Sequence, residues 1–346
     1  MGTKGPKIGI AAPAHVYQYY SGGEFLVDKT VECLKALGTD VKLFDTWTDK
    51  IEAFDLIHFF GIGYFNYEFL NTVKSKGRKL AVTPIFPSMG GLKNILRSVY
   101  HRACFMAPML KTPPELMRRN ARLADILLAH ANVEKAEIIS LLGADPAKVK
   151  VVHFGADKSF LGASPDLFVD EYKVKDFILC LARFDSIQKN QLNLIRALRD
   201  VPITTVFVGK PDKDMDDYYS ICRKEASKDM IFIDHLDRAS GMLGSCYAAC
   251  RTFVVPSKFE YPALAGMEAV LAGCKRLAVT QIGSTKEYYG TIADYFNPYS
   301  IKDIKDVVLK VHNSEKVDTA AIEKFKNTYL WENYARNALE AYRSIL

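Results

Sequence analysis

Two glutamates in one short stretch carry the first chemistry that this sequence offers. Seven residues separate Glu260 from Glu268 in SKFEYPALAGMEAVLAG, which follows the apolar run TFVVP. Pro262 suits the first turn of a helix and residues 263–272 are rich in helix formers, so one acid precedes the predicted helix and the other lies on it. The amino end of a helix after a parallel strand favours anions, because its free N–H groups and its dipole attract negative charge. Taken singly, each glutamate would count as a surface acid, but together they predict a site for phosphate and for sugar and ribose hydroxyls.

Length and composition indicate a two-domain globular protein. The 346 residues are about twice the length of a typical single domain. The hydrophobic fraction is 49%, and no segment stays apolar for the ~20 residues that span a bilayer. The net charge of +6 suggests partners that carry phosphate without implying nucleic acid. Because the first apolar run begins within a few residues of the start, leaving no room for a signal peptide, we expect a cytoplasmic protein.

Apolar runs alternate with amphipathic stretches along the whole chain. In the first half, a predicted helix from Gly23 towards Leu37 follows the run KIGIAAPA, and further runs such as DLIHFF and KLAVTPIF come after it. Residues 158–176 have neither helical nor strand period and are predicted to be a linker, after which the alternation restarts with FILCLARF. The pattern predicts two doubly wound, Rossmann-like α/β domains that face each other across a cleft, where ligands bind beyond the carboxyl ends of the strands.

The glutamate stretch resembles the GT-B retaining glycosyltransferases, most closely glycosyltransferase family 4, also called glycosyl transferases group 1. The matching residues are Pro256, Ser257, Glu260, Leu264, Glu268, Ala269 and Gly273. The resemblance extends to LCLARFDSIQKNQLNLIRAL, to TVFVGKP around Gly209, to VVHFGAD, to IGSTKE and to the closing YLWENYARNALEAYRSIL. It covers both predicted domains and therefore implies a GT-B fold.

The resemblance implies a function and a role for each part of the chain. Residues 1–160 would form the acceptor-side domain, with the helix 330–346 packed back on it, and residues 161–329 would bind the donor. The activity would be transfer of a hexose-type sugar from a nucleotide-diphosphate sugar to a hydroxyl of a glycan or lipid-linked glycan, with retention of anomeric configuration. No metal or other cofactor would be needed. The seven cysteines lack metal-ligand spacing and lie mostly in apolar runs, which predicts buried reduced thiols.

The resemblance also implies the site residues. Arg183 and Lys189 would grip the donor diphosphate, Glu260 would position the sugar hydroxyls, and Glu268 would bind the ribose. We expect Glu260, Arg183 and Lys189 to serve catalysis. The remaining residues expected to bind the donor are Gly209, Tyr261, Ala263 and Leu264.

The first domain supplies candidates for the acceptor side and one departure from the family. Gly22 and Gly23 lie between the first strand and the first helix, where glycines let a backbone approach a phosphate or acceptor hydroxyl, and His15 precedes them. Many family members carry a histidine near the reacting sugar where this chain has Ile85 and Phe86 in TPIFPS. His58 ends a predicted strand, and a structural role is favoured for it over a substrate role.

A basic segment between Gly91 and Arg122 suggests a further partner. Its apolar residues interleave with seven cations, as on a helix at an anionic membrane surface, although a solvated basic face over core leucines is an equal alternative. The cations are Lys93, Arg97, Arg102, Lys111, Arg118, Arg119 and Arg122. A peripheral position on the inner membrane face and a lipid-linked acceptor would follow.

Two other functions remain open on the same architecture. The family commonly has a Gly-Phe-Gly-Leu-like run after the first glutamate, where this chain has Tyr261, Pro262, Ala263 and Leu264. This altered loop and the missing histidine fit a catalytically degenerate GT-B scaffold that binds nucleotide without turnover. A nucleotide-sugar epimerase also uses two α/β domains, but the spacing of Glu260 and Glu268 argues against it. No strand is followed by Gly-x-Gly-x-x-Gly, which disfavours an NAD-dependent oxidoreductase, and no nucleic-acid-binding module is recognised.

Overall fold

The chain forms two compact units. The computed structural model describes residues 5–18, 22–86, 91–106, 109, 111–184, 188–211 and 216–346, with the backbone alone for 91–95 and 216. Unit 1 comprises Met1–Phe154 together with Trp331–Leu346, and unit 2 comprises Gly155–Leu330. The second unit thus begins at Gly155 rather than at residue 161.

Unit 1 is built on a parallel six-stranded sheet. Its strands are β1 (Ile8–Ala11), β2 (Val41–Leu43), β3 (Leu56–Phe60), β4 (Lys79–Thr83), β5 (Ile126–Ala129) and β6 (Val149–Val151), in the order β2-β1-β3-β4-β5-β6. Its helices are α1 (Gly22–Ala36), α2 (Tyr67–Ser75), α3 (Gly91–Phe105), α4 (Pro113–Leu123), α5 (Asn132–Leu142) and the last helix of the chain, Trp331–Arg343. Helices covering both faces bury the central strands completely, which is why β3 reads as the continuous apolar run LIHFF.

The last helix of the chain is fixed to the core of unit 1 by buried tyrosines. The hydroxyl of Tyr342 lies 2.7 Å from Nδ1 of His58, and the hydroxyl of Tyr334 lies 3.2 Å from that of Thr30 on α1. These four side chains are buried, so their polar atoms need partners within the protein. The pairs therefore specify where the helix packs as well as stabilising it.

Unit 2 repeats the architecture with a second parallel sheet. Its strands are β7 (Ile178–Leu181), β8 (Thr205–Val208), β9 (Met230–Ile233), β10 (Thr252–Val255), β11 (Leu277–Thr280) and β12 (Ala293–Phe296), in the order β12-β11-β10-β7-β8-β9. Its helices are α6 (Asp166–Tyr172), α7 (Gln191–Leu198), α8 (Asp216–Glu225), α9 (Met242–Ala249), α10 (Leu264–Leu271), α11 (Thr285–Tyr289), α12 (Ile301–Asn313) and α13 (Thr319–Thr328), so the last helix is α14. The predicted doubly wound α/β architecture is confirmed for both units.

Each sheet has a topological switch point, where chain connections leave in opposite directions. In unit 2 it lies between β7 and β10, and in unit 1 between β1 and β3. The loops after such neighbouring strands diverge and leave a crevice, which is the usual ligand site of open α/β sheets. Across the described segments, no helix is both long enough and apolar enough to cross a bilayer.

Candidate functional site

The loops at the switch point of unit 2 are tied to one another through their backbones. The side-chain amide of Asn190, after β7, donates to the carbonyls of Pro256 and Pro298 at 2.8 Å each. The backbone N–H of Lys258, after β10, donates to the carbonyl of Gln188 at 2.8 Å. Asn190 is buried and adopts a left-handed conformation with φ 60°, which an asparagine tolerates better than most residues. The β7 loop is therefore held against the β10 loop.

This arrangement brings Lys189 and Glu260 together. The ammonium of Lys189 lies 2.7 Å from Oε1 of Glu260, and the Ser257 hydroxyl donates to the same oxygen at 2.7 Å. Glu260 is 9% exposed, so its charge is held by these partners rather than by bulk water. Both bonds go to Oε1, and a carboxylate has about four acceptor positions. Oε2 can therefore accept a hydroxyl from a ligand.

The backbone of Glu260 is joined to the loop after β11. Its N–H donates to the Ile282 carbonyl at 3.2 Å, and its carbonyl accepts from the Ser284 N–H at 3.0 Å. Between them Gly283 has φ +102°, and a Cβ placed there would lie 2.0 Å from the Glu260 carbonyl oxygen. Only glycine fits, because any side chain would force the two loops apart.

The helix that follows Glu260 begins later than the sequence pattern predicted. α10 begins at Leu264, and Ala263 is its N-cap, in a left-handed conformation with φ 64°. Pro262 therefore precedes the helix instead of occupying its first turn. The buried hydroxyl of Tyr289 lies 3.1 Å from the Pro262 carbonyl and 2.8 Å from that of Ala263, which fixes the backbone where it enters the helix.

An alanine N-cap leaves the amino end of α10 open. Its methyl group has no oxygen to accept from the first-turn N–H groups, and no side chain caps the helix among the described residues. Leu264, an expected donor-binding residue, is the first residue of the helix and is half-buried. The open amino end favours an anion through its N–H groups and its dipole.

Glu268, one turn further along α10, is the buried partner of a separate ion pair with Arg238. Its Oε1 accepts from an Arg238 guanidinium nitrogen at 2.6 Å, and its Oε2 from the Tyr247 hydroxyl at 3.1 Å. The side chain is 6% exposed, and burial raises the pKa of Glu268, opposed by the charge of Arg238. The Arg238 guanidinium also lies over the Phe160 ring, 4.8 Å from its centre.

The loops after β7 and β8 are in close backbone contact where Gly209 lies beside Ala182 and Arg183. Arg183 is exposed just beyond β7, and its carbonyl accepts from the Gln191 side chain at 2.9 Å. Gly209, with φ +156°, follows β8, and a Cβ there would lie 2.1 Å from the Ala182 carbonyl oxygen. The β8 loop therefore packs directly on the β7 loop.

Three polar residues of this site lie outside the segments that the sequence analysis used. Arg238 lies in the loop after β9, Tyr247 lies on α9, and Tyr289 ends α11. A basic residue in the loop that follows a strand is a recognisable signal, so Arg238 could have been found. Tyr261, which the resemblance did point to, is half-buried and makes an edge contact with Phe259 at 6.5 Å between ring centres.

The switch point of unit 1 holds a cavity of about 280 Å³. It brings together His15 and Gly23, two residues expected on the acceptor side, with apolar side chains that include Ile62, Phe65 and Ile85. Gly22 begins α1 and is exposed, and it is not among the described residues that line the cavity. His15 makes an edge contact with Phe65, with 5.5 Å between ring centres.

His58 has a structural role. It is fully buried in β3, and its Nε2 lies 2.8 Å from the Thr83 hydroxyl while its Nδ1 faces Tyr342. Burial lowers the pKa of His58 to about 3, so the ring is neutral at physiological pH. With both nitrogens occupied, the interpretation favoured from the sequence is confirmed.

A second buried histidine in unit 1 was not anticipated. His130 follows β5, and its Nδ1 lies 2.6 Å from Oε2 of Glu134, which is fully buried on α5. Glu134 also accepts from the backbone N–H groups of Phe86, at 2.7 Å, and of His130, at 2.8 Å. This carboxylate therefore anchors the segment beside Ile85.

The basic residues of 91–122 divide into two groups. Arg118 and Arg119 each lie within 3.0 Å of the buried Glu115, and Arg97 stacks on Phe86, 4.0 Å from its ring centre. Arg102, Lys111 and Arg122 are exposed. The side chain of Lys93 lies outside the described residues. In the described segments, no three histidine, cysteine or acidic side chains converge as metal ligands, and all seven cysteines are buried free thiols.

The two doubly wound α/β units form the GT-B fold. The chain is 27% identical over 243 residues to a D-inositol 3-phosphate glycosyltransferase of Kribbella flavida, a match that covers 64% of this chain and 57% of that protein. The match thus spans little more than half the length of that relative. No protein-family model matches the chain.

Two solved structures share the fold over almost the whole chain. Sucrose-phosphate synthase from Thermosynechococcus elongatus has a TM-score of 0.76 at 15% identity, covering 98% of this chain and 99% of that one. Anabaena HepE, solved in complex with UDP, has a TM-score of 0.76 at 15% identity, covering 98% and 100%. The GT-B fold and the resemblance to group 1 glycosyltransferases, both predicted from the motifs, are confirmed.

Proposed function

We propose that this protein is a retaining glycosyltransferase that transfers a hexose-type sugar from a nucleotide-diphosphate sugar to an acceptor hydroxyl. One observation carries the proposal: Glu260 and Glu268 lie on either side of the open amino end of α10, each paired with a cation. This places acceptors for sugar hydroxyls beside donors for phosphate. Unit 2 would bind the donor, and unit 1 the acceptor.

The residues have distinct roles in this proposal. Arg183, Lys189 and the amino end of α10 bind the diphosphate and stabilise its growing negative charge as the bond from the anomeric carbon to its oxygen breaks. The acceptor oxygen bonds to that carbon from the same face, and its proton passes to the departing diphosphate, so configuration is retained. Glu260 holds the sugar hydroxyls and Glu268 the ribose, with Gly209, Tyr261, Ala263 and Leu264 shaping the pocket.

The donor class is proposed from a structurally similar protein, and the metal requirement from the cations of this chain. Anabaena HepE has also been solved in complex with UDP-glucose, which supports a uridine diphosphate hexose as the first donor to test. Two cationic side chains and a helix amino end can balance a diphosphate without a divalent ion. We therefore expect transfer to persist when a chelator removes divalent metals.

The acceptor side includes a surface suited to anionic lipid. The exposed face of α3 presents Leu96, Val99 and Tyr100, which are 62%, 62% and 55% exposed and follow the spacing of one helical face. Arg102 is exposed on the same helix and Lys111 follows it. Apolar residues flanked by cations suit a peripheral position on the inner membrane face and a glycan or lipid-linked glycan acceptor.

Liposome sedimentation tests that surface. We expect binding to vesicles that contain phosphatidylglycerol and not to phosphatidylcholine vesicles, with several-fold weaker binding for a Leu96→Ser, Val99→Ser variant. Ile221→Ser in unit 2 is the control, because that side chain is 45% exposed and lies outside the surface. Equal binding to both vesicle types would refute the membrane assignment.

Nucleotide binding and transfer are tested together. Thermal shift with UDP, GDP and ADP should raise the melting temperature for one base, and Glu268→Ala should abolish that shift because ligand stabilises only the folded state to which it binds. Proton NMR of the first product should then show the donor's anomeric configuration. Glu260→Gln and Arg183→Ala variants with unchanged turnover would overturn these roles. Nucleotide binding without transfer would favour the degenerate scaffold, and a new sugar epimer formed without acceptor would favour the epimerase.

A further inference from the structure

The cavity of unit 1 is walled almost entirely by apolar groups. Its apolar lining includes Val16, Val27, Ile62, Phe65, Ile85 and Met117. With a volume of about 280 Å³ it is near the lower end of the range for small-molecule pockets. Such a space suits one ring system or a short branched chain better than a whole disaccharide.

Few polar groups line this cavity. His15 and Asn66 are the polar side chains in its described lining, which contains no lysine, arginine, aspartate or glutamate. A phosphorylated sugar needs cations for its phosphate and several partners for its hydroxyls, since burying these groups unpaired is costly. The described lining therefore disfavours a sugar phosphate and leaves His15 and Asn66 to orient a single hydroxyl.

Ile85 occupies this cavity in a strained conformation. Its φ of 48° lies in the left-handed region, where a β-branched side chain is a genuine outlier. The strain is imposed from both sides, because the Pro84 carbonyl accepts from the Ile62 N–H at 3.1 Å and the Phe86 N–H donates to Glu134 at 2.7 Å. Glycine adopts this conformation without strain, so stability alone does not account for an isoleucine at this position.

We infer that this cavity binds an apolar, ring-sized group of the acceptor, with Ile85 as a specificity-determining residue. The inference rests on the transfer activity of the proposed function and replaces its glycan acceptor with an aryl or branched-alkyl compound that carries one hydroxyl. The apolar lining binds the ring by excluding water from both surfaces. His15 or Asn66 then contacts the hydroxyl that receives the sugar.

Direct titration with 2-naphthol tests the cavity without requiring turnover. Isothermal calorimetry, with and without UDP, should show saturable 2-naphthol binding and none for glucose 6-phosphate. Ile85→Gly should weaken 2-naphthol binding about tenfold, since it removes part of one apolar contact surface. Val16→Trp, which fills the space, should abolish it.

The melting temperature separates a binding role from a structural one. Ile85→Gly should melt no lower than the parent, because relief of strain offsets the lost contacts. Lys173→Gly is the matched control: its φ is 57°, it lies in unit 2, and it should leave 2-naphthol binding unchanged. A large fall in the melting temperature of Ile85→Gly would assign the residue to stability.

The outcomes distinguish this inference from the proposed function. Absence of saturable 2-naphthol binding, or unchanged binding by Ile85→Gly, would overturn the acceptor class even if UDP still raises the melting temperature. Saturable 2-naphthol binding with no nucleotide binding and no transfer would instead leave the cavity assignment standing and remove the glycosyltransferase proposal.

Discussion

The switch points of the two units both lie beside the first strand of their sheet, and their chemistry is opposite. In unit 2 the loops after β7 and β10 bring charged groups together, with Lys189 against Glu260 and Arg238 against the buried Glu268. In unit 1 the loops after β1, β3 and β4 line an apolar cavity that includes Ile85. The fold determines where a ligand can bind, and the loop residues determine what binds.

The largest effect should come from the backbone contacts that hold the charged site together. Gly283→Ala places a Cβ 2.0 Å from the Glu260 carbonyl oxygen, so the loops after β10 and β11 must separate. We expect a loss of stability on the order of 3 kcal/mol, measured by urea unfolding, together with loss of nucleotide binding.

Gly273→Ala is a closely matched control for that substitution. Gly273 has φ +108°, against +102° for Gly283, but a Cβ at Gly273 meets nothing within 4 Å. Its cost should be only the intrinsic strain of about 1–2 kcal/mol, with nucleotide binding retained. If both variants lose the same stability and both bind nucleotide, the close contact at Glu260 does not build the site.

A smaller but still large effect should follow from removing the partner of Glu268. Arg238→Ala leaves a carboxylate in a buried position without its cation, which we expect to cost about 2 kcal/mol and to weaken nucleotide binding at least tenfold. The pKa of Glu268 should rise further, because the charge that opposed the effect of burial is gone. The stability deficit should therefore be greatest at neutral pH and shrink as the carboxyl group takes up a proton.

Arg196, a second arginine of unit 2, is the control for the stability lost in Arg238→Ala. Arg196 pairs with Glu225, and the two arginine side chains are similarly exposed, 38% for Arg196 and 40% for Arg238. Glu225 is 23% exposed, against 6% for Glu268, so solvent screens its charge. Arg196→Ala should cost at most about 1 kcal/mol and leave nucleotide binding intact. An equal loss of unfolding free energy in both variants would mean that the burial of Glu268 does not increase the cost of removing its cation.

Sequence reasoning located the charged site better than the apolar one. The setting of Glu260 and Glu268 is local, because a strand, a turn and a helix follow one another within a short stretch, and the structure places both acids beside the amino end of α10. Arg238 and Tyr247 reach Glu268 from α9 and the loop before it, a tertiary contact that no spacing along the chain encodes.

The apolar cavity and the start of α10 show what a linear pattern omits. In the sequence, Ile85 was recognised only as a departure from a family motif. Its left-handed backbone could not be predicted, because it is imposed by contacts with distant residues. These are Glu134, forty-nine positions later in the chain, and the loop after β3. Pro262 is a good first-turn residue by propensity, but the Tyr289 hydroxyl contacts its carbonyl and fixes the backbone where it enters the helix. In both cases a distant side chain overrides local preference.

A pH titration tests whether the buried His58 of unit 1 acts on stability alone. Burial lowers the pKa of His58 from 6.5 to about 3, so the unfolded chain binds the proton more readily. Stability should therefore be full above pH 6.5 and fall by up to about 1.4 kcal/mol per unit as pH drops below it. Urea unfolding between about pH 5 and 6.5, above the range where carboxylates titrate, should show a smaller slope for His58→Gln.

The substitution His58→Gln should change the pH dependence of stability without changing ligand binding. His101 and His312 also have lowered pKa values from burial, so some slope should remain in the variant. Binding of 2-naphthol by His58→Gln should match the parent at pH 7, because the described lining of the cavity does not include this residue. An unchanged slope, or altered 2-naphthol binding, would contradict the structural role.

The smallest predicted effect is that of salt concentration, which should weaken ligand binding at the switch point of unit 2 and not at that of unit 1. In the proposed function the nucleotide diphosphate is bound by exposed or half-exposed cations, including Arg183 and Lys189. Their attraction is screened as the Debye length falls from about 10 Å at 0.1 M to about 3 Å at 1 M. We expect sodium chloride over that range to weaken nucleotide binding several-fold by calorimetry. Binding of 2-naphthol should stay constant or tighten slightly, since apolar contacts are not screened. If both ligands respond equally to salt, the contrast between a charged site and an apolar site fails, because the cavity must then hold its ligand through charge that its described lining lacks.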